Sequence, residues 1–283
     1  ANAAYSADRF KYYQGGTAVH TISRSTDVPT VAQCGAQLNY SVLLTPTTAD
    51  TSIAAGEYSL INQLIEGYNF QRFVGNYGTL SFWVKAYKAG IYCIRFCNGA
   101  ANRSYVVEYT INASNTWEKK TITLKFDYSG GTWDYINGIG IQVTWALSGG
   151  STYQTTANAW QTGNYFATAN QVNGTDSTND TFQLAMIQLE LGSIATEFEF
   201  MNYQQELAMC QRYFERIKPS INSGYYIGGF AVTTTGSLFI LPFAAIKRGT
   251  PVASFSGVDD FVVYYEGGSN TATTNMETSV IGL

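Results

Sequence analysis

The chain has 283 residues, with 20 acidic against 16 basic side chains, a formal charge of −4, and 13% charged against 45% hydrophobic residues. That composition excludes a disordered, highly charged tail, and the absence of any Lys/Arg run excludes the clustered cations that binding to a nucleic-acid backbone requires. The longest apolar stretches, at 185–191 and 238–241, fall short of the roughly 20 residues a membrane helix needs, and ANAAYSADRF at the start has no charged-then-apolar signal pattern, so no membrane insertion is expected.

The 21 Tyr, 16 Phe, 5 Trp and 27 Gly, set among many Thr, Ser and Asn, predict β-strands joined by tight turns. Cys34, Cys93, Cys97 and Cys210 form no CxxC pair and His20 is the sole histidine, so the thiols read as buried and free and a zinc site is not expected. Between residues 79 and 147 apolar and polar positions alternate with a period of two, which sends every second side chain of a strand to a core. Leu80, Phe82 and Val84 mark the first strand; Tyr105, Val107, Tyr109 and Ile111 the next; then Ile122, Leu124, Phe126 and Tyr128; then Ile139, Ile141, Val143, Trp145 and Leu147. Asn98-Gly99, Gly130-Gly131, Asn137-Gly138 and Gly149-Gly150 supply the turns, leaving each strand one wet face. The expected fold is all-β, an antiparallel two-sheet jelly-roll sandwich.

Residues 148–180, rich in Gly, Ser, Thr, Asn and Gln, read as long surface loops. Trp133, Tyr135, Tyr153, Trp160 and Tyr165 lie in or beside Gly- and Asn-rich loops, near Asp134, Gln154, Asn158, Gln161 and Asn164 in sequence. An aromatic ring stacks on the C–H face of a sugar while polar neighbours bind its hydroxyls, so these are candidate glycan-binding residues; the competing reading is that they cap the core. Residues 182–191 shift their alternation from Phe182, Leu184 and Met186 to Ile187, Leu189 and Leu191, which predicts a bulge or a strand buried on both faces, and Phe198 and Phe200 suggest a further edge strand.

Tyr203, Leu207, Cys210, Phe214 and Ile217 are spaced 4, 3, 4 and 3, the seam of a helix capped by Asn202 and ending near Lys218, just before Pro219. Two heptads are too few to stand alone, so this helix either docks on its own domain or bundles with copies of itself. The β pattern returns beyond Tyr225 as a small C-terminal domain whose size favours association with symmetry mates. There Tyr225 and Tyr226, and again Tyr264 and Tyr265, are adjacent pairs in which one ring faces outward; Tyr225 and Tyr265 join the glycan-binding candidates, with a trimer interface as the alternative. The expected division is therefore a sandwich over 1–201, a connecting helix over 202–218 and the small β domain over 219–283.

IQLELGSIATEF at 187–198, followed by ELAMCQRYF at 206–214, resembles a module repeated in tail-fibre and tail-tip proteins of tailed bacteriophages. SRSTDVP at 23–29, IEGYNF at 65–70, LSFWVKA at 80–86, NRSYVVEYTI at 102–111 and TWEKKTITL at 116–124 fit the same pattern, so the resemblance covers about residues 8–214. Glu197 stands where that family often has Pro. The resemblance implies a carbohydrate-binding-module-like sandwich on a phage virion, usually trimeric, with host cell-surface polysaccharide or lipopolysaccharide and other virion proteins as partners. A structural head-fibre, decoration or adaptor protein without sugar binding is the second reading, and a glycan-cleaving tailspike the third.

Catalysis finds little purchase in these residues. Asp127, Asp134, Asp176, Asp180 and Glu190 are too scattered to pair as glycosidase carboxylates, and no GxSxG turn accompanies a serine that could use His20. The chain is thus expected not to be an enzyme and to need no cofactor. Structural calcium is conceivable at Asp176 and Asp180, but no dense acidic loop supports it.

Overall fold

The computed structural model describes residues 5–7, 10–127, 129–216, 229–231, 237–239, 242–252, 262–265 and 268–271. The chain divides into two compact units, Ala1–Phe200 and Met201–Leu283. In chain order the first unit carries β1 (Tyr5–Ala7), β2 (Phe10–Gly15), β3 (Val19–Ser25), β4 (Ser41–Thr48), β5 (Tyr58–Glu66), β6 (Tyr77–Ala86), β7 (Gly90–Asn98), β8 (Arg103–Ile111), β9 (Glu118–Lys125), β10 (Ile139–Gly149), β11 (Trp160–Thr162) and β12 (Phe182–Leu191). Among the described residues, seven of these form one sheet in the order β1-β2-β5-β10-β7-β8-β11 and five form another in the order β3-β4-β12-β6-β9. Every ladder in the two sheets is antiparallel; β1–β2, β3–β4 and β7–β8 pair as hairpins, and most other connections cross from one sheet to the other, as in a jelly roll.

The core lies between the sheets and is built from the period-two positions: Ile61, Phe82, Val84, Ile94, Phe96, Val143, Trp145 and Leu184 contribute from both layers. Trp145, completely buried, meets Phe82 edge to face at 5.7 Å. Burying a side chain of this kind contributes about 1.5–3 kcal/mol.

The expectation of one wet face per strand fails on both sheets, because further segments lie over the outer surfaces. On the five-stranded sheet Trp83, Trp117 and Ala185 form a small apolar cluster with Cys34, Leu38 and Met186. On the seven-stranded sheet Leu60, Cys93, Val106 and Ala146 lie beneath Phe166 and Ala167, so part of 148–180 is a cover rather than a surface loop. Cys93 and Cys97 are buried free thiols, whereas Cys34 and Cys210 are partly exposed. The bulge in β12 falls between Ala185 and Gln188 in its pairing with β6, with Met186 at φ 47°.

Phe198 and Phe200 are not in a strand. The Gln188 side chain holds that segment instead, accepting from Glu199 N at 2.8 Å and donating to the Glu197 carbonyl at 3.2 Å, which leaves no ladder for it to join.

In the second unit a helix spans Tyr203–Gln211 and begins as expected, with the Asn202 side chain accepting from Gln204 N. It stops well before Lys218. The Gln211 carbonyl accepts from Lys247 Nζ at 2.6 Å and the Arg212 carbonyl from Arg248 N at 3.1 Å, so the last carbonyls are satisfied from outside the helix. Phe214 therefore lies beyond the helical seam, no helix residue is buried, and Ile217 lies outside the described residues. Two short ladders, Gly229–Ala231 with Ser237–Phe239 and Val262–Tyr265 with Gly268–Thr271, are also described in this unit. Among the described residues no helix is long and apolar enough to cross a membrane.

Candidate functional site

Along β5, Ile61 and Ile65 enter the core, so Tyr58, Leu60 and Asn62 face outward from the seven-stranded sheet. The ladder then places Asn62, Thr144 and Arg95 side by side on β5, β10 and β7. Thr144 Oγ1 donates to Asn62 Oδ1 at 3.1 Å, Arg95 Nε donates to Thr144 Oγ1 at 3.1 Å, and Asn62 Nδ2 donates to Gln142 Oε1 at 2.7 Å. Arg95 also donates through Nη2 to Gln142 Oε1 at 3.3 Å and through Nη1 to Asn164 Oδ1. Its guanidinium lies 5.7 Å from the Phe166 ring and forms no ion pair among the described residues, although only 4% of the residue is exposed. Burial lowers the Arg95 pKa from its ordinary value against smaller opposing contributions from Cys97 and Tyr13, and the hydrogen bonds of the guanidinium go to neutral amide and hydroxyl oxygens.

Half-buried tyrosines surround this polar floor. Tyr13, Tyr58, Tyr153 and Tyr165 pack against the apolar cluster under Phe166; Tyr153 stacks on Phe166 at 4.6 Å, and Tyr58 meets both rings edge-on at 5.2 and 5.6 Å. Among the described residues none of the four hydroxyls has a hydrogen-bond partner, and none belongs to the buried unpartnered atoms, so all four open to solvent.

Of the sequence candidates, then, Tyr153 and Tyr165 come together with Asn164, while Trp133, Tyr135 and Trp160 gather elsewhere. Trp133 stacks on the buried Phe70 at 5.2 Å, Tyr135 lies parallel to it at 6.4 Å, and Trp160 meets Trp133 edge-on at 5.8 Å. Trp133 Nε1 donates to the Gly130 carbonyl at 2.6 Å and Trp160 Nε1 to the Lys125 carbonyl at 3.0 Å. These two indoles pack against the rim of the core and remain partly exposed, apart from the tyrosine group. Asp134 accepts from Ile136 N and Gly138 N and holds its own turn. Tyr225 lies outside the described residues, and of Tyr265 only the backbone of its strand is described. Sequence reasoning missed Tyr13, Tyr58, Arg95 and Phe166. A visible signal was Arg95 itself, a charge in the middle of the strand YCIRFCN.

Among the described residues the ionisable groups do not converge on a cleft. The Tyr12 hydroxyl stands 2.7 Å from His20 Nδ1 and 3.0 Å from Ser59 Oγ, but all three residues are sealed in the sandwich, and burial lowers the His20 pKa to about 4. Asp127 pairs with Arg103 at 2.5 Å, and Glu190 accepts from Thr196 N at 2.9 Å. Asp176 and Asp180 lie close enough for each to act on the other's titration, which the scatter of acids in the sequence did not suggest. Burial, together with Asp176, pushes Asp180 up to about 6, while Lys88 bonds to Asp176 and supplies the cation there. Among the described residues no group of three or more His, Cys, Asp or Glu gathers for a metal ion.

No family model and no curated protein matches the chain. Among solved structures it is similar to the enzymatically active domain of tailspike protein 4 of bacteriophage CBA120, at 15% identity over 65% of this chain and 19% of that one, with a TM-score of 0.38. It is also similar to a CBM4 structure (13% identity, 65% of this chain and 88% of that chain, TM-score 0.37). A third is a family 11 carbohydrate-binding module from Clostridium thermocellum in complex with a β-1,3-1,4-mixed-linked tetrasaccharide (10% identity, 66% and 91%, TM-score 0.36). Likenesses at these scores say nothing about ligand or activity in this chain.

Proposed function

We propose that this chain is a non-catalytic carbohydrate-binding protein of a tailed-phage virion, whose outer face on the seven-stranded sheet contacts host surface polysaccharide or lipopolysaccharide. The observation that carries the binding reading is the row Asn62, Thr144 and Arg95 with Gln142 and Asn164, flanked by Tyr13, Tyr58, Tyr153 and Tyr165 with their hydroxyls in solvent. Rings offer a sugar its stacking surface, the partly exposed Gln142 and exposed Asn164 amides read its hydroxyls, and the buried Asn62, Thr144 and Arg95 hold those two amides in place. The virion setting is supported by the motif order over about residues 8–214. Trimerisation belongs to the same reading and would let weak sites act together. A glycan array followed by calorimetry on the full chain tests it: a host-type polysaccharide should bind, and Tyr165→Ala or Tyr13→Ala should each weaken that binding about tenfold, the loss of roughly 1.4 kcal/mol expected for one stacking contact. Binding unchanged in both variants would sink this face as the site. Light scattering reads the trimer separately.

The second reading, a structural head-fibre, decoration or adaptor protein, is favoured by the helix at Tyr203–Gln211 and the turn after it, where Tyr203 and Phe214 are more than 70% exposed. Rings so uncovered suit contact with another virion protein or with a second copy of this chain.

A further inference from the structure

Beside Tyr165, the exposed side chain of Asn164 is tied to a charge that lies beneath it. Arg95 Nη1 donates to Asn164 Oδ1, and a guanidinium can only donate, so the contact turns the amide carbonyl toward the buried Arg95 and leaves Nδ2 on the other side. Nδ2 has no hydrogen-bond partner among the described residues. Gln142, the other amide bonded to Arg95, differs in this respect, because its Nε2 donates to the Asn98 carbonyl at 3.1 Å. Asn164 thus offers a ligand a donor whose orientation the Arg95 cation sets.

The backbone on either side of Asn164 is held as well. Gly163 N donates to the Asn102 carbonyl at 3.1 Å, the Gly163 carbonyl accepts from Ser104 Oγ at 2.9 Å, and Tyr165 N donates to Ser104 Oγ at 3.2 Å. Gly163 has φ 135°, a conformation that side-chain-bearing residues rarely adopt, and a Cβ there would stand 2.6 Å from the Tyr165 ring. The donor is therefore in place before a ligand arrives, which lowers the ordering cost of binding.

The charge behind this donor meets no carboxylate. Arg95 forms no ion pair among the described residues, and its hydrogen bonds go to the neutral groups of Thr144, Gln142 and Asn164. Glu108, on the same outer face of β8 as Val106, stands opposite Cys93 and bonds to Thr168 Oγ1 at 2.6 Å and Asn170 Nδ2 at 3.0 Å. It acts on the Cys93 thiol and is not among the groups that act on Arg95. A charge out of water reaches further than one in it, so an anion bonded to Asn164 Nδ2 gains from Arg95 without touching it, and a neutral hydroxyl in the same place gains less.

We propose that this face selects an acidic sugar, one whose carboxylate or phosphate oxygen accepts from Asn164 Nδ2 while the tyrosines around Phe166 flank its ring. That the anion is carried by a sugar rests on the carbohydrate-binding reading of the face, whereas the demand for an anion rests on Arg95 and Asn164.

The test is calorimetry on the full chain in low salt with three matched pairs: oligogalacturonate and its methyl ester, methyl glucuronide and methyl glucoside, glucose 6-phosphate and glucose. At least one acidic member should bind about tenfold tighter than its neutral counterpart, and the pair that shows it tells carboxylate from phosphate. Asn164→Asp puts a carboxylate against Arg95 and should abolish the preference, with stability in urea no lower than the parent's. Asn164→Ala, which removes the donor and adds no charge, should fall between the two. Equal binding of acidic and neutral members, weakened alike by Tyr165→Ala, would overturn the acidic preference and leave the sugar-binding face standing. A preference that survives Asn164→Asp would also overturn it. Binding of no member removes the proposal, and together with a blank glycan array it removes the sugar-binding reading too.

Discussion

The rings around Phe70 and the rings around Phe166 differ in what their polar ends do. At the Phe70 end the two indole N–H groups are held by backbone carbonyls of Gly130 and Lys125, whereas the four tyrosine hydroxyls near Phe166 reach solvent without a partner among the described residues. A ring whose polar atom is bonded within the chain keeps only its uncovered face for a ligand. One whose polar atom is open keeps a hydrogen bond and a flat apolar surface available to a ligand. Abundance of aromatics alone therefore identifies no binding face; the fate of their heteroatoms separates the two groups.

The largest effect should come from breaking the structural group. Phe70 is fully buried and touches Phe73, Phe126, Trp133 and Tyr135. Phe70→Ala should cost about 3–5 kcal/mol in urea unfolding, against less than about 1.5 kcal/mol for the half-buried Tyr165→Ala. Similar losses at both positions would erase the distinction drawn here.

Next in size is an acid response beneath the tyrosine face, since Tyr12 and Tyr13 are neighbours on β2 and point to opposite sides. Burial depresses the His20 pKa from 6.5 to about 4, so the neutral ring is the one the fold accommodates, and His20 Nε2 has no partner there. Its contribution is present above pH 6.5 and is lost as pH falls through about 4, an effect of order 2–3 kcal/mol. Denaturation between pH 7 and 4 should show that decline, and His20→Gln should flatten it. Amide exchange at the lower pH should rise in β2 and β3 before it rises around Phe70.

The smallest effect has the opposite sign. Asp180, pushed up to about 6 from 3.8, favours the fold while protonated, so its contribution is present below pH 3.8 and lost as pH rises through 6. Asp180→Asn should therefore stabilise modestly at pH 7 and leave pH 4 nearly unchanged; a loss of stability at pH 7 would show that Lys88 needs both carboxylates.

Period-two alternation made the strands from 79 to 147 readable, because each buries a face against the same core, and the phase slip at Met186 and Ile187 announced the bulge. What alternation cannot report is what covers the other face. Leu60, Cys93 and Ala146 look outward in sequence and are buried only because Phe166 and Ala167 return across them from a distant segment. The glycan candidates split for the same reason: Trp133 and Tyr153 sit in equally Gly-rich sequence, and long-range packing sends one to the core rim and the other to the sheet face. The helix ended early because Lys247 and Arg248, far along the chain, take its terminal carbonyls.

Cys93 is wholly enclosed on β7, with its sulfur 3.6 Å from Thr168 Oγ1, and burial raises its thiol to about 11. A reagent that needs thiolate can modify it only during moments when the strip bearing Phe166 and Thr168 has lifted off the sheet. Alkylation kinetics at this position thus form a built-in clock for how often that strip detaches, and a polysaccharide bridging strip and sheet ought to slow the clock without touching the sulfur.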